Sequence, residues 1–284
     1  MISTRGMVAA DTDECGRICY EAFQAIATQH NFPPDFPSPQ PALEFVAHLQ
    51  SHPEFFGVVA ELDGRIVGSN FLDERSAILS VGPVTVAPEV QDGSVGRALM
   101  RAVLKRSAER QAMGVRLVQA AYNNRSMSLY TKLGFQTREP LAAIQGDPLL
   151  LRIDGFEVRD ALEADLDECS GLCTRVHGHD RSGELRDAIA HGTAKVVERD
   201  GRITGYTTGV GFIGHSVALS NDDLQALIAN ADEFLFSGFL LSLRNAELMR
   251  WCFEHGLRIV YMLNLMTLGF YQEPRGAFLT SIGF

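Results

Sequence analysis

The segment Val81-Gly-Pro-Val-Thr-Val-Ala-Pro-Glu-Val-Gln-Asp-Gly-Ser-Val-Gly-Arg-Ala-Leu-Met100 contains the features that decide the fold. A run of β-branched residues ends at Pro88, a turn with two glycines follows from Gln91 to Gly96, and a helix begins at once. The first N–H groups of a helix have no partner within it, and the helix dipole adds partial positive charge there. A strand, a loop of small residues and a helix N-terminus in this order therefore predict a phosphate site.

The glycines of this loop fit neither the nucleoside triphosphate loop nor the dinucleotide fingerprint. The segment Gln91-Asp-Gly-Ser94-Val-Gly96 instead resembles the pyrophosphate loop of the GCN5-related N-acetyltransferases (GNAT), Gln/Arg-x-x-Gly-x-Gly/Ala, with Ser94 at the first glycine. A second segment, Asn123-Asn-Arg-Ser-Met-Ser-Leu-Tyr130-Thr-Lys-Leu-Gly134-Phe135, is similar to the family pattern Asn-x-x-Ala-x-x-Leu-Tyr-x-x-x-Gly-Phe. Two motifs in the family's order favour the resemblance over an ordinary strand-to-helix turn. It covers roughly residues 5 to 145.

The resemblance implies roles for the residues of both motifs in binding acetyl-CoA as co-substrate. Tyr130 would protonate the departing thiolate, although a tyrosine that only packs beside its helical neighbours is the alternative. Asn123 would bind the coenzyme, cap its helix, or do both. Arg97 would add charge or lie in solvent. The backbone groups implied in coenzyme binding belong to Val84, Thr85 and Val86 along the pantetheine arm, and to Gln91, Asp92, Gly93, Ser94, Val95, Gly96 and Arg97 at the pyrophosphate.

The acceptor side of the site is less well marked in the sequence. Five prolines in residues 31–41 predict an extended loop between two helices, and in the resembled family this segment borders the acceptor. Phe32, Asp35 and Phe36 are therefore candidate specificity residues, unless the phenylalanines only pin the loop to the surface. No general base is evident. Asp73 and Glu74 could substitute for one, or they could be ordinary exposed carboxylates of a turn.

Composition limits the class of protein and its partners. Apolar residues make up 46% and charged residues 21%, as in an ordinary globular protein, and the net charge of −10 disfavours a nucleic-acid partner. Five cysteines without metal-binding spacing predict buried thiols, and the pair His177-Gly-His179 predicts a loop, so no metal is expected. Without a signal-peptide core or an apolar run of ~18 residues, we expect no membrane partner and a cytoplasmic protein.

The chain contains an internal repeat, which predicts two domains of one fold. Residues 10–19 resemble 164–173, residues 61–68 resemble 198–205, and residues 123–135 resemble 245–257, at offsets of 154, 137 and 122. We expect an α/β protein of two tandem GNAT-like domains, residues 1–150 and 151–284, each a mixed, mostly antiparallel twisted sheet flanked by helices. Expected helices lie near 11–29, 41–51, 95–112, 124–133, 163–176, 182–191, 221–231 and 245–255, and expected strands near 55–62, 65–72, 78–86, 115–122, 258–268 and 276–283.

The two copies differ where the phosphate site is expected. In the second copy Ser220 or Asn221 would cap a helix whose first turn carries Asp222 and Asp223, so coenzyme should not bind there in the same way. The sequence therefore predicts an N-acetyltransferase (EC 2.3.1.-) that acts on a small-molecule or peptide amine through its first half. The second half would be structural or line the acceptor cleft. A non-catalytic acyl-CoA sensor and a transferase for another acyl group are the alternatives, and the oligomeric state is open.

Overall fold

The computed structural model describes residues 1–91, 93–236 and 238–283, and the chain divides into two compact units. The first unit comprises Met1–Leu117 and Tyr122–Gln136, and the second comprises Val118–Ala121 and the chain from Thr137 onward.

The first unit is a twisted sheet with helices on both faces. Its strands pair in the order β1-β2-β3-β4-β6, with β5 on β3, and every pairing is antiparallel except the parallel pair β4 and β6. The elements of this unit are β1 (Ile2–Gly6), α1 (Thr12–His30), α2 (Pro39–Ser51), β2 (Phe55–Leu62), β3 (Arg65–Asp73), β4 (Ile78–Val81), β5 (Thr85–Val86), α3 (Val95–Glu109), β6 (Gly114–Ala120, which continues into the second unit) and α4 (Asn124–Lys132).

Side-chain alternation along β3 explains why helices cover both faces of this sheet. Phe71 belongs to the core that α1 and α2 form, together with the buried cysteines at positions 15 and 19. Asn70 points to the other face, where its Nδ2 lies 3.6 Å from Met100 Sδ on α3. Gly68 shares that face, and a Cβ there would lie 3.2 Å from Leu99 Cδ1.

The second unit repeats this plan with additional strands. Its strands pair in the order β13-β7-β12-β14-β11-β10-β9-β8. Its elements are β7 (Gln136–Gln145), β8 (Glu157–Asp160), α5 (Leu166–His177), α6 (Ser182–His191), β9 (Lys195–Arg199), β10 (Arg202–Thr207), β11 (Ser216–Ala218), α7 (Asn221–Asn230), β12 (Phe239–Ser242), α8 (Ala246–Glu254), β13 (Arg258–Gly269) and β14 (Ala277–Thr280).

An ion-pair network occurs once in each unit at equivalent positions. In the first unit Arg5 donates to Asp11 at 2.7 and 2.9 Å and to Glu61 at 2.9 Å. The second unit has the same three residue types at positions 159, 165 and 198, with Asp165 bonded at 2.7 and 2.9 Å and Glu198 at 2.8 Å. The arginine joins the edge strand to the start of the first helix in both units. These spacings match the offsets of 154 and 137 in the sequence repeat.

The division into units lies earlier than the expected domain boundary near residue 150. From Leu141 to Ile144, β7 pairs antiparallel with β12, so the contacts of residues 137–145 are with the second unit. The β7 residues of this pairing are apolar and buried, and Ala142 and Ile144 belong to the core of that unit. The sequence repeat places the domain boundary by position along the chain. The contacts of residues 137–145 are instead set by the pairing of β7 with β12.

The expected fold class is confirmed: both units are mixed α/β sheets, mostly antiparallel and flanked by helices. The strand expected at 78–86 is instead two strands, because β4 ends at Val81 and the chain passes Gly82 and Pro83 before β5 begins. All five cysteines are free and buried. Within the described residues, no helix combines the length and apolarity that a membrane span requires.

Candidate functional site

Strands β4 and β5, on either side of Gly82 and Pro83, differ in their pairing. β4 pairs with β6 in parallel from Ile78 to Ser80. β5 pairs with β3 alone, through Thr85 with Ser69 and Val86 with Gly68. The Thr85 hydroxyl is buried and lies 3.0 Å from the Ser69 hydroxyl. The edge of β5 opposite β3 has no strand partner among the described residues, so backbone groups on this edge can hydrogen-bond an extended ligand. The Val86 carbonyl already accepts from the Gln91 side chain.

The glycine-bearing loop leads directly into the N-terminus of α3. Ser94, at the position of the family's first glycine, adopts the left-handed conformation with φ 65°. That conformation normally favours glycine, which explains the residue type in the family pattern. Among the described residues, no side chain caps α3, and its first turn contains no acidic residue. Asp92, expected in this loop, lies outside the described residues.

Arg125 is a residue of this site that the sequence analysis missed. It is exposed on α4, and its Nη1 donates to Gln91 Oε1 at 2.9 Å. Gln91 in turn donates through Nε2 to the Val86 carbonyl at 3.2 Å. The two bonds connect α4, the loop and β5 and bring a guanidinium to the loop. Arg125 stands inside the second sequence motif and could have been considered from the sequence. Only the fold shows that its side chain reaches Gln91 in the first motif.

Asn123 and Tyr130 occupy the two ends of α4. Asn123 is the N-cap, and its Oδ1 accepts from Ser126 N–H at 3.1 Å. Tyr130 is buried, with only 8% of its surface exposed, and its ring centroid lies 6.1 Å from that of Phe135. Burial raises the pKa of Tyr130 to about 12, so the phenol keeps its proton through the neutral range. A protonated phenol is the state that a proton donor needs.

The proline-rich loop places two of the three candidate acceptor residues near the end of β6. The Phe32 ring stacks on Tyr122, with centroids 4.6 Å apart, and the His30 ring lies 5.1 Å from the same tyrosine. Burial, with a smaller contribution from the Asp35 carboxylate, raises the pKa of Tyr122 to about 12. Tyr122 is a second residue that the sequence analysis missed.

Phe36 does not lie with these residues. It is buried in the core of α1 and α2, 5.7 Å from the Phe23 ring and 6.2 Å from the Phe45 ring. The interpretation that this phenylalanine pins the loop therefore replaces its proposed role in specificity.

Neither Asp73 nor Glu74 is placed to serve as a general base. Asp73 accepts from Arg75 at 2.5 and 2.9 Å. Glu74 accepts from Arg106 at 2.6 and 2.9 Å and lies 3.4 Å from Arg110. Their side chains are only 12% and 8% exposed, so the alternative of exposed turn carboxylates is also wrong. Each carboxylate forms an ion pair at the end of β3.

The counterpart of this site in the second unit is closed by the chain itself. Ser220 caps α7 in a capping box: its Oγ accepts from Asp223 N–H, and Asp223 Oδ2 accepts from Ser220 N–H at 2.9 Å. Between β11 and β12, the counterparts of β4 and β6, the strand β14 pairs antiparallel with both. The capping was expected from the sequence, whereas the inserted strand was not.

Comparison with known proteins decides the family. Residues 22–135 match the model of the acetyltransferase (GNAT) family. This matched segment includes the loop, α3, α4 and both motifs. Over this segment the chain matches the GNAT family. The predicted resemblance is thereby confirmed. The UPF0157 protein YqkA of Bacillus subtilis is 33% identical over 115 residues, which is 40% of this chain and 32% of that protein. The chain thus spans about a third of the length of this relative.

Solved structures show the same fold over nearly the whole chain. A "putative acetyltransferase" from Pyrococcus horikoshii has a TM-score of 0.72 at 17% identity, covering 97% of this chain and 94% of its own. A GCN5-related N-acetyltransferase from Sphaerobacter thermophilus has a TM-score of 0.61 at 14% identity, covering 96% of each chain. A tandem GNAT protein from the clavulanic acid biosynthesis pathway has a TM-score of 0.58 at 14% identity, covering 97% and 99%.

The position of Arg125 leads to a first prediction. Replacing Arg125 with Ala removes the guanidinium that is bonded to Gln91 in the loop before α3. We expect coenzyme A affinity to fall about threefold to tenfold, as for a partly exposed charged contact to phosphate. The measurement is calorimetric titration at low and high salt, where the loss should shrink as salt rises. Arg101→Ala, on α3 but away from the N-terminus of that helix, is the control. Equal losses in both variants would show that general charge, not this contact, sets the affinity.

Proposed function

We propose that the first unit binds acetyl-CoA and transfers the acetyl group to an amine. The observation that carries this proposal is the difference between two equivalent helix N-termini. In α7 the first turn is capped by Ser220 and Asp223. In α3 no described side chain caps the first turn, and a loop of small residues leads into it. An uncapped helix N-terminus behind such a loop can accept the pyrophosphate of coenzyme A.

The rest of the donor would follow the elements already described. The pantetheine arm would hydrogen-bond to the backbone of Val84, Thr85 and Val86, because the outer edge of β5 has no strand partner among the described residues. The pyrophosphate would meet the backbone N–H groups of the loop and the first turn of α3. Arg125 and Arg97 would supply positive charge from their side chains, and Asn123, besides capping α4, would lie beside the arm.

The reaction needs orientation and proton transfer more than covalent help. The amine nitrogen attacks the thioester carbonyl, the carbon–sulfur bond breaks, and the thiolate takes a proton. Tyr130 is the proposed donor of that proton, because it stands at the tyrosine of the family motif and a phenol is protonated in the neutral range. With Asp73 and Glu74 held in ion pairs, the amine must lose its proton to water or to a group outside this turn.

The acceptor would enter beside Phe32 and Tyr122. Their stacked rings form an aromatic surface, and the Asp35 carboxylate acts electrostatically on the same tyrosine. Such a surface favours an amine that carries an apolar or aromatic body next to its cationic group. We propose Phe32 and Asp35 as specificity residues, and we propose that residues 151–284 form a copy that does not bind coenzyme.

The activity test is a release assay for free thiol with acetyl-CoA and a panel of small-molecule and peptide amines. Thiol release that depends on one amine, with acetylation of that amine by mass spectrometry, is the expected result. Propionyl-CoA and succinyl-CoA run in parallel, because the phosphate loop does not contact the acyl chain. Saturable binding of acetyl-CoA without amine-dependent release would favour the sensor alternative, and faster release from another thioester would replace the acetyl donor.

A further inference from the structure

The second unit contains a polar cleft that the proposed acetyl transfer does not use. Its volume is about 470 Å³, within the range of small-molecule sites. It lies where the N-termini of α7 and α8 approach the end of β12 and the start of β14. The lining residues that matter here are Glu139, Asn221, Ser242, Arg244 and Asn245. All of them belong to the second unit.

Glu139 is the unusual residue of this cleft. Only 1% of its surface is exposed, although it lines the cleft. Its Oε1 accepts from the Ser242 hydroxyl and from Arg244 Nε at 3.1 Å. Its Oε2 has no hydrogen-bond partner among the described residues. A buried carboxylate oxygen without a donor is costly, so a group that donates to it from the cleft would be held firmly.

The other polar groups of the cleft are already engaged with one another. The Asn221 and Asn245 amides bond reciprocally at 2.7 and 3.1 Å, and Asn245 also caps α8. Asn221 donates further to Glu247 at 2.9 Å, and Arg244 Nη1 donates to Glu273 at 2.7 Å. Ser242 and Arg244 donate to Glu139 Oε1, and the amides of the cleft donate to other groups, so Glu139 Oε2 is the acceptor left for a donor on a bound molecule.

The charged groups around the cleft indicate which class of molecule could donate to Glu139 Oε2. The lining residues and their direct side-chain partners carry four carboxylates against the single guanidinium of Arg244 among the described residues. The carboxylates are those of Glu139, Asp223, Glu247 and Glu273. Such a field attracts cations and repels anions. The described residues contain no group of three His, Cys, Asp or Glu side chains that could hold a metal ion. The occupant that fits is thus an organic cation with N–H donors.

We propose that this cleft binds a small organic cation through a charge-assisted hydrogen bond from its primary ammonium or guanidinium group to Glu139 Oε2. The site is separate from the proposed acetyl-CoA site of the first unit. It occupies the region of the second unit that corresponds to the donor site, after β14 has closed the gap between β11 and β12.

The test uses agmatine, which carries both groups, on isotope-labelled full-length protein without acetyl-CoA. Saturable shifts of the Asn245 and Ala277 amide signals, with half-saturation below about 10 mM, are expected. Reading these two signals separates the cleft from any amine binding at the acceptor side of the first unit. Tetramethylammonium, a cation without N–H groups, should shift neither signal. No saturable shift with agmatine, or equal shifts with both cations, would overturn the proposal.

Two variants test the assigned residue. Glu139→Gln keeps the shape and still accepts from Ser242 and Arg244, but it removes the charge, and agmatine binding should weaken at least tenfold. Glu273→Gln, at an exposed carboxylate, should change it less than about threefold. If Glu139→Gln fails to fold, Asn221→Lys keeps Glu139 and supplies an internal ammonium at the cleft, which should compete and abolish the shifts. Unchanged affinity in the folded variant rejects the site.

Discussion

Replacing Tyr130 with Phe should lower turnover by roughly 10²–10⁴, the range for a positioned general acid. The substitution removes only the hydroxyl, and the ring stays packed beside Phe135, so stability and acetyl-CoA affinity should barely change. A coenzyme thiol is a fairly good leaving group, so the loss should lie toward the low end of that range. The measurement is single-turnover thiol release with a reactive amine from the panel, under conditions where chemistry limits the rate.

The matched control for Tyr130 is its counterpart in the repeat. Cys252 occupies the equivalent position on α8 and is fully buried in the core of the second unit. Cys252→Ala should cost some stability, about 1 kcal/mol or more from the cavity, yet leave turnover nearly intact. A Tyr130→Phe variant that keeps more than half of the wild-type rate would reduce Tyr130 to a packing residue.

Replacing Gly96 with Glu should weaken coenzyme A binding tenfold or more, which corresponds to about 1.4 kcal/mol or above. Gly96 is in the first turn of α3, and a carboxylate there opposes the phosphate charge and competes for the same N–H groups. The fold should tolerate the change, because a Cβ at this position would lie 3.4 Å from Leu129 Cδ2 and 3.8 Å from Val86 Cγ2, ordinary contact distances. Calorimetric titration with coenzyme A measures the loss.

Two neighbouring variants separate charge from bulk at this helix start. Gly96→Ala adds only the tolerated Cβ, so its affinity should fall less than that of the Glu variant. Ser94→Gly should keep the affinity, because glycine readily adopts the left-handed conformation that Ser94 has in the loop. If the Glu variant binds coenzyme A as tightly as the wild type, the phosphates lie elsewhere.

Local patterns predicted the positions of several helices well. The helices expected at 182–191 and 221–231 are α6 (Ser182–His191) and α7 (Asn221–Asn230), because period and capping residues act within a few turns of chain. The cap of α7 was predicted for the same reason: Ser220, one of the two candidates, is the N-cap, and the structure adds its capping box with Asp223.

Features that depend on pairing between strands far apart in the sequence could not be predicted from local patterns. The strand β14 was expected as a closing strand, but its insertion between β11 and β12 joins residues that lie tens of positions apart. The pairing of β7 with β12 is of the same kind. Phe32 and Phe36 stand four residues apart in one proline-rich loop, and only the packed fold shows that one reaches Tyr122 and the other enters the core.

We propose that the chain carries one coenzyme site, at the α3 N-terminus of the first unit. In the second unit the capped helix α7 and the inserted strand β14 close the equivalent place. Calorimetric titration of the 284-residue chain with acetyl-CoA distinguishes one site from two. We predict a stoichiometry near one, with binding weakened by Gly96→Glu and unaffected by Asp222→Asn on α7. A stoichiometry near two, or binding that depends on the α7 variant and not on Gly96, would contradict the account.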